Sequence, residues 1–279
     1  MIPAFARGLC DDAAVFPPGL APLTEAVPAH RAHRSAPYGE VVGPLVLPAS
    51  ALDDLPPLLD GPDPIALSVT APGGPCEAAK AVAKAADLPV DLRGVEAAVP
   101  AGMGPEEFFR VLGPVDVPLY VEVPRDERRP AMIAAIAARG HRAKFRTGGV
   151  KASMYPPPEE LAAAIKAVVD ARVPFKATAG LHHAVRTTDP ETGFHQHGFL
   201  NLLLATDAAL NGRPVADLVA VLADRDAPAV ADRVADLGDA RTAAARALFL
   251  SFGTCSITEP VAELTDLGLL RPVFQETSR

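Results

Sequence analysis

The stretch "VPFKATAGLHHAVR", residues 173 to 186, sets Lys176 in the middle of an apolar run and follows it with two adjacent histidines, His182 and His183. Valine would pack better at that position, so the ammonium group needs a chemical reason. Three other short apolar runs carry charges in the same way: "VEAAVP" (95–100), "PLYVEVP" (118–124) and "AKFRT" (143–147). Read as strands, their side chains alternate between two faces. Val95, Ala97 and Val99 oppose Glu96, while Leu119, Val121 and Val123 oppose Tyr120 and Glu122. Ala143, Phe145 and Thr147 oppose Lys144 and Arg146, and Phe175, Ala177 and Ala179 oppose Lys176 and Thr178. Two carboxylates, two ammonium groups and a guanidinium therefore share one side. In a confined interior such a set either pairs internally or waits for a charged ligand. Structural ion pairs, with Glu96 and Glu122 satisfying Lys144 and Lys176, are the plain alternative to a functional site.

The segments after these strands add polar groups. Gly148 and Gly149 follow Arg146, and Lys151 comes two residues later; glycines there let backbone N–H groups approach an anion, and Arg146 offers carboxylate or phosphate a planar fork. A tight turn is the other use of the two glycines. Thr254 and Ser256 lie in "GTCSITEP", ahead of a helix expected to be capped by Thr258, where a phosphate could bind. His182 and His183, with His195 and His197 of "FHQHGF", form the histidine-rich part of the chain. One of His182, His183 or His197 could act as general acid or base, since imidazole titrates near neutral pH. The four histidines, with Glu122, are also a conceivable metal set, although no HExxH-type signature is present. Asn201 lies one helical turn beyond His197 and would share its face, placed to orient a substrate or that ring.

These residues need elements to position them. Eight runs read as strands: 13–16, 44–48, 65–70, 95–100, 118–124, 143–147, 174–179 and 247–252. Between them lie segments of helical periodicity, such as "CEAAKAVAKAAD" and "PPEELAAAIKAVVDAR". The alternation predicts an α/β fold with a parallel sheet, and eight units in 279 residues suit a (β/α)8 TIM-type barrel. An incomplete barrel of six or seven strands is the alternative. Residues 199–246 read as consecutive helices without a strand, a helical insertion before the last strand. The Pro residues are spread through the connections, so the whole of 1–279 is read as a single barrel domain. The C-terminal ends of Lys176's and Arg146's strands are where barrel enzymes place their chemistry.

Composition sets bounds. With 49% hydrophobic and 22% charged residues the chain is globular, and its net charge of -8 without a Lys/Arg run disfavours nucleic acid. No basic leader precedes an apolar run and no long apolar stretch is present, so a cytoplasmic protein with no membrane partner is expected. The three cysteines, Cys10, Cys76 and Cys255, are odd in number and far apart, which predicts reduced thiols.

The motifs "DDAAVFPPG", "AKFRTGG", "FKATAGLHH", "HGFLNLLLA" and "FGTCSITEPV" resemble a family of bacterial hypothetical proteins over most of the chain, a likeness that implies no activity. The inward Glu and Lys/Arg pattern between 122 and 176 is more loosely similar to quinolinate phosphoribosyltransferase-type barrels, although no separate N-terminal domain is recognisable here. That likeness implies a small anionic metabolite, held through carboxylate or phosphate. Three readings follow. The first is an aldolase-type lyase in which Lys176, its pKa lowered by burial and by Lys144 or Arg146, forms a Schiff base or stabilises an enolate, while Glu122 or a histidine moves the proton. The second is a metal-dependent lyase or hydrolase on the histidines. The third is a non-catalytic metabolite-binding barrel. Substrate contacts are assigned to Arg146, Glu96, Gly148, Gly149, Lys151, His197, Asn201, Thr254 and Ser256. No cofactor is expected outside the metal alternative, and homo-oligomerisation is left open.

Overall fold

The computed structural model describes residues 1–61 and 63–271. Eight parallel strands close into a barrel. β1 (Cys10–Asp12) is followed by α1 (Leu23–Ser35), and β2 (Val42–Pro48) by short 3-10 turns rather than a long helix. Then come β3 (Ile65–Ala71), α2 (Pro75–Ala86), β4 (Val90–Ala98), α3 (Pro105–Leu112), β5 (Leu119–Glu122), α4 (Arg129–Ala138), β6 (Arg142–Arg146), α5 (Pro158–Asp170) and β7 (Phe175–Thr178). A two-stranded antiparallel hairpin, β8 (Thr187–Thr188) and β9 (His195–Gln196), stands outside the barrel. Four consecutive helices, α6 (Phe199–Leu210), α7 (Val215–Ala223), α8 (Ala227–Ala235) and α9 (Gly238–Leu248), lead to the eighth barrel strand, β10 (Phe249–Thr254), and α10 (Thr258–Asp266). The ring order is β1-β10-β7-β6-β5-β4-β3-β2, so the first strand seals against the last, with Cys10 beside Phe252 and Asp12 beside Thr254. The barrel is complete, and the helical insertion lies between β7 and β10.

The strand phases read from the sequence hold. Val95, Ala97, Leu119, Val121, Ala143, Phe145, Phe175 and Ala177 are buried in the main apolar core, on the outward face that helices cover. The hydrophobic effect thus fixes which face turns out, and the charged residues are what remains for the interior. α6 is buried along nearly its whole length and acts as the crossover helix between β7 and β10; Phe199 stacks on Phe252 with ring centroids 4.6 Å apart. An Asp207–Arg241 ion pair fastens α6 to α9.

Four elements depart from expectation; one is β4, which begins at Val90, five residues before the expected start at 95. The first strand lies at 10–12, not 13–16; residues 14–16 form a turn. The last strand begins two residues later than expected, because Ala247 and Leu248 finish α9. Thr258 begins α10 but does not cap it; the flanking residue is Ile257, and the Ser256 hydroxyl accepts a long 3.4 Å bond from the Glu259 N–H instead.

Candidate functional site

Inside the barrel, six charged side chains alternate in sign along one continuous path. Lys176 Nζ sits 2.5 Å from Asp11 Oδ2 and 2.6 Å from Glu96 Oε1. The other Glu96 oxygen lies 3.0 Å from Lys144 Nζ, which in turn lies 3.2 Å from Glu122 Oε2. Arg146 closes the path through its Nε, 2.9 Å from Glu122 Oε1, with Nη2 3.4 Å from Oε2. Ser251 donates to Asp11 and Ser68 to Glu96, each at 2.8 Å. Below, the Tyr120 ring lies 5.4 Å from the Lys176 ammonium, and its hydroxyl accepts from Arg142 at 2.8 Å. Three carboxyl groups thus alternate with three basic groups along the path.

Exposure rises along the path. The side chains of Lys176 and Glu96 are 2% and 1% exposed, whereas Glu122 and Arg146, at the C-terminal ends of β5 and β6, reach 21% and 37%. The buried half is a scaffold of charge and the outer half is a surface that solutes can meet. Burial alone pushes the Glu96 and Glu122 carboxyls up, but the cations beside them outweigh it and hold both below the usual carboxylate range: Lys176 and Lys144 for Glu96, Lys144 and Arg146 for Glu122. Burial pushes the Asp11 carboxyl up, against Lys176 and Ser251. For Lys176 burial again works against the charge, yet Asp11 and Glu96 together hold the ammonium well above the ordinary lysine range. Two carboxylates, Asp11 and Glu96, thus favour the charged form of Lys176 together. The expected lowering of the Lys176 pKa by burial, Lys144 and Arg146 is therefore overturned: Lys144 bonds to Glu96 rather than facing Lys176 alone.

Loops after β6 and β7 shape the mouth by touching each other. A Cβ on Gly148 would come within 2.7 Å of Gly180 Cα, and one on Gly149 within 2.5 Å of Met154 Sδ. The close approach that these glycines permit is thus to the protein's own chain. Thr147 donates its hydroxyl to the Ala179 carbonyl at 2.7 Å, across the turn where Ala179 takes a left-handed φ of 64°. Lys151 stands exposed beyond this contact. On the β10 side, Thr254 donates to the Ser256 carbonyl, and the Ser256 hydroxyl meets that of Thr258 at 3.2 Å. Cys255 Sγ lies 3.6 Å from His182 Nδ1; burial pushes the thiol up and the imidazole down, so neither is held charged by its surroundings.

The histidines do not gather. His183 bonds to Glu263 on α10 at 2.6 Å, which raises its pKa. His195 is exposed against Thr188 and Arg225, while His197 is fully buried, with Nε2–H donating to the Pro156 carbonyl at 2.8 Å and Nδ1 accepting from Arg186 at 3.2 Å. Burial pushes His197 down to about 4, too low for a proton shuttle near neutrality. Each ring has its own partners, so His182, His183, His195 and His197 do not form the shared donor set that their spacing suggested; among the described residues no three His, Cys, Asp or Glu side chains converge in a metal-binding arrangement. Asn201 is likewise committed elsewhere. Its Oδ1 accepts from the Arg186 N–H, and its Nδ2 donates to the carbonyls of Val221 and Asp224, so it ties α6 to α7 rather than orienting His197 or a substrate. Glu96 is sealed among its two lysines and Ser68, beyond the reach of a substrate.

Asp11, Ser68 and Ser251 belong to the network without having been read from the sequence. Ser68 was legible, since it alternates with Leu67 and Val69 as Glu96 does with its neighbours. Asp11 was hidden by placing the first strand too late. Ser251 follows a register break between Phe249 and Ser251, which spoils the period-2 pattern.

Fold and site together define a (β/α)8 barrel with an alternating chain of acidic and basic side chains along its interior. Comparison with family models, curated proteins and solved structures gives no match for this chain. No helix among the described residues is long and apolar enough to cross a membrane.

Proposed function

We propose that the protein is an aldolase-type lyase acting on a small metabolite that carries a carboxylate or phosphate. The observation that carries this reading is the gradient of exposure along the charge chain, from sealed Lys176 to the open Glu122–Arg146 pair. A substrate anion reaching the mouth competes with Glu122 for the guanidinium, whose planar fork suits carboxylate and phosphate alike. Glu122 is then free to take a proton from a substrate hydroxyl. As the carbonyl forms, the electrons of the breaking carbon–carbon bond pass to an enolate, which protonation completes. Lys144, 3.2 Å from Glu122, supplies a fixed positive charge where that anion develops. Lys176 acts as a charged ammonium that holds Glu96 and, through it, Lys144; in this reading the lysines stabilise an enolate and form no Schiff base.

The test is turnover, followed by NMR, of a panel of hydroxy-keto acids and ketose phosphates. Glu122→Gln is expected to lower kcat by about 10²–10⁴-fold, the range of a lost general base. Arg146→Lys is expected to weaken anion binding by about 1–3 kcal/mol in calorimetric titration. Borohydride added during turnover is expected to leave no adduct, and an adduct on Lys144 or Lys176 would instead establish the Schiff-base route. Saturable anion binding without turnover would identify a binding barrel. Unchanged binding in Arg146→Lys, with a large drop in melting temperature, would assign Arg146 to the scaffold and remove the reading's central residue.

A further inference from the structure

Away from the charge chain, residues 152–158 after β6 face the β8–β9 hairpin across a cleft of about 300 Å³. Its walls are largely apolar: Tyr155 and Phe194 lie with ring centroids 5.3 Å apart and planes at 51°, beside Pro156, Pro157 and Pro158. Its inner end is different. Arg186 lines the cleft although only 9% of it is exposed, and its sole side-chain hydrogen bond among the described residues is from Nη1 to His197 Nδ1. That acceptor is a neutral imidazole nitrogen, because the other ring nitrogen carries the hydrogen donated to Pro156. No carboxylate among the described residues forms an ion pair with Arg186. Glu159 attracts it from a distance and Arg225 repels it. Arg225 itself is held at the rim by Thr188 and His195, adding a second positive charge.

A guanidinium this deeply buried loses much of its hydration, and a buried charge is ordinarily paired. Here the missing counter-ion would enter through the cleft. The same cleft supplies two aromatic rings and three prolines, an apolar lining that suits a flat apolar ring. The position of Arg186 is also fixed in advance, since its backbone N–H donates to the buried Asn201 at 2.9 Å. We propose that this cleft is a second ligand site, for a small aromatic carboxylate whose carboxylate pairs with Arg186 and whose ring lies between Tyr155, Phe194 and the prolines. The site is separate from the Glu122–Arg146 mouth and stands whether or not that mouth is catalytic.

The experiment titrates the whole protein with benzoate and with 3-phenylpropionate, each beside its methyl ester, by calorimetry and saturation-transfer NMR. The acids are expected to bind saturably in the millimolar range or tighter, and the neutral esters about tenfold or more weakly, the scale of a lost charged hydrogen bond. Arg186→Gln is expected to cause a similar loss. Since that variant also removes the partner of His197 and could fold poorly, Phe194→Ala provides a second arm, expected to weaken binding several-fold while leaving the ester discrimination in place. Arg146→Lys is expected to leave binding unchanged. Equal binding of acid and ester, no saturable binding of either acid, or a loss that follows Arg146→Lys rather than Arg186→Gln would overturn the proposal; the last result would place the acids at the barrel mouth.

Discussion

Lys176 serves two buried carboxylates with one ammonium, and that arithmetic decides what its removal does. Lys176→Met keeps the length of the stem but leaves Asp11 and Glu96 facing each other without their shared cation. The substitution therefore acts on the fold before it acts on any chemistry. Loss of one partner from a buried ionic group costs about 3–5 kcal/mol, so the variant should melt well below wild type or fail to fold. Denaturant unfolding measures it, and adding Asp11→Asn should recover part of the loss, because the two sites are coupled. A second residue sets the acid response. His197 is folded-state neutral down to about pH 4, against an ordinary value near 6.5. A lowered imidazole pKa means that the unfolded chain binds the proton first. Stability from His197 is thus complete above about pH 6.5 and falls as the pH drops toward 4, by roughly 3 kcal/mol at most. Urea unfolding at several pH values should show this slope in wild type and a shallower one in His197→Gln; equal slopes would mean that the ring titrates freely.

At the level of elements, the mouth depends on two loops meeting without side chains between them. Gly148 has an ordinary backbone conformation, so replacing it by alanine adds no torsional strain and acts through contact alone. The new methyl would press on the Gly180 backbone at 2.7 Å, which cannot rotate away as a side chain could. Gly148→Ala should force the β6 and β7 loops apart, destabilising the protein by about 1–3 kcal/mol. Because Arg146 lies two residues upstream, the same substitution should also weaken anion binding at the mouth, which a melting curve and a calorimetric titration would report together. Ala179 offers the opposite case. Its left-handed conformation costs an alanine about 1–2 kcal/mol, partly offset on replacement by the greater chain freedom of glycine. Ala179→Gly should therefore leave the melting temperature unchanged or slightly higher; a marked fall would show that the methyl has a packing role.

For the whole molecule, closure depends on a strand of three residues. β1 pairs with β10 on one side and β2 on the other, and it carries Asp11 to Lys176 across a sequence separation that only the closed ring spans. Deleting residues 1–12 removes both the closing hydrogen bonds and one of the three interior anions. The shortened chain should keep much of its helical circular dichroism but lose its near-ultraviolet signal and expose β2 and β10 to amide exchange. Native-like exchange protection in β10 after the deletion would show that the ring does not need β1.

The alternation of strands and helices, the outward apolar phase of four strands, and the company of Glu96, Glu122, Lys144, Arg146 and Lys176 were all legible in the sequence. Each is a local pattern with a period of two or about 3.6 residues, and burial of one face turns such a pattern directly into orientation. The histidines show where that logic stops. Their closeness along the chain suggested a shared site, yet His183 found its partner in Glu263 and His197 in Pro156, because loop residues have no period to aim them and take whatever partners the packed helices bring. The state of Lys176 was beyond reach for a related reason. Burial by itself lowers a lysine pKa and nearby carboxylates raise it, so the sign depends on distances. Those distances, 2.5 Å to Asp11 and 2.6 Å to Glu96, come into being only when the sheet curls round and brings β1, β4 and β7 together across the barrel.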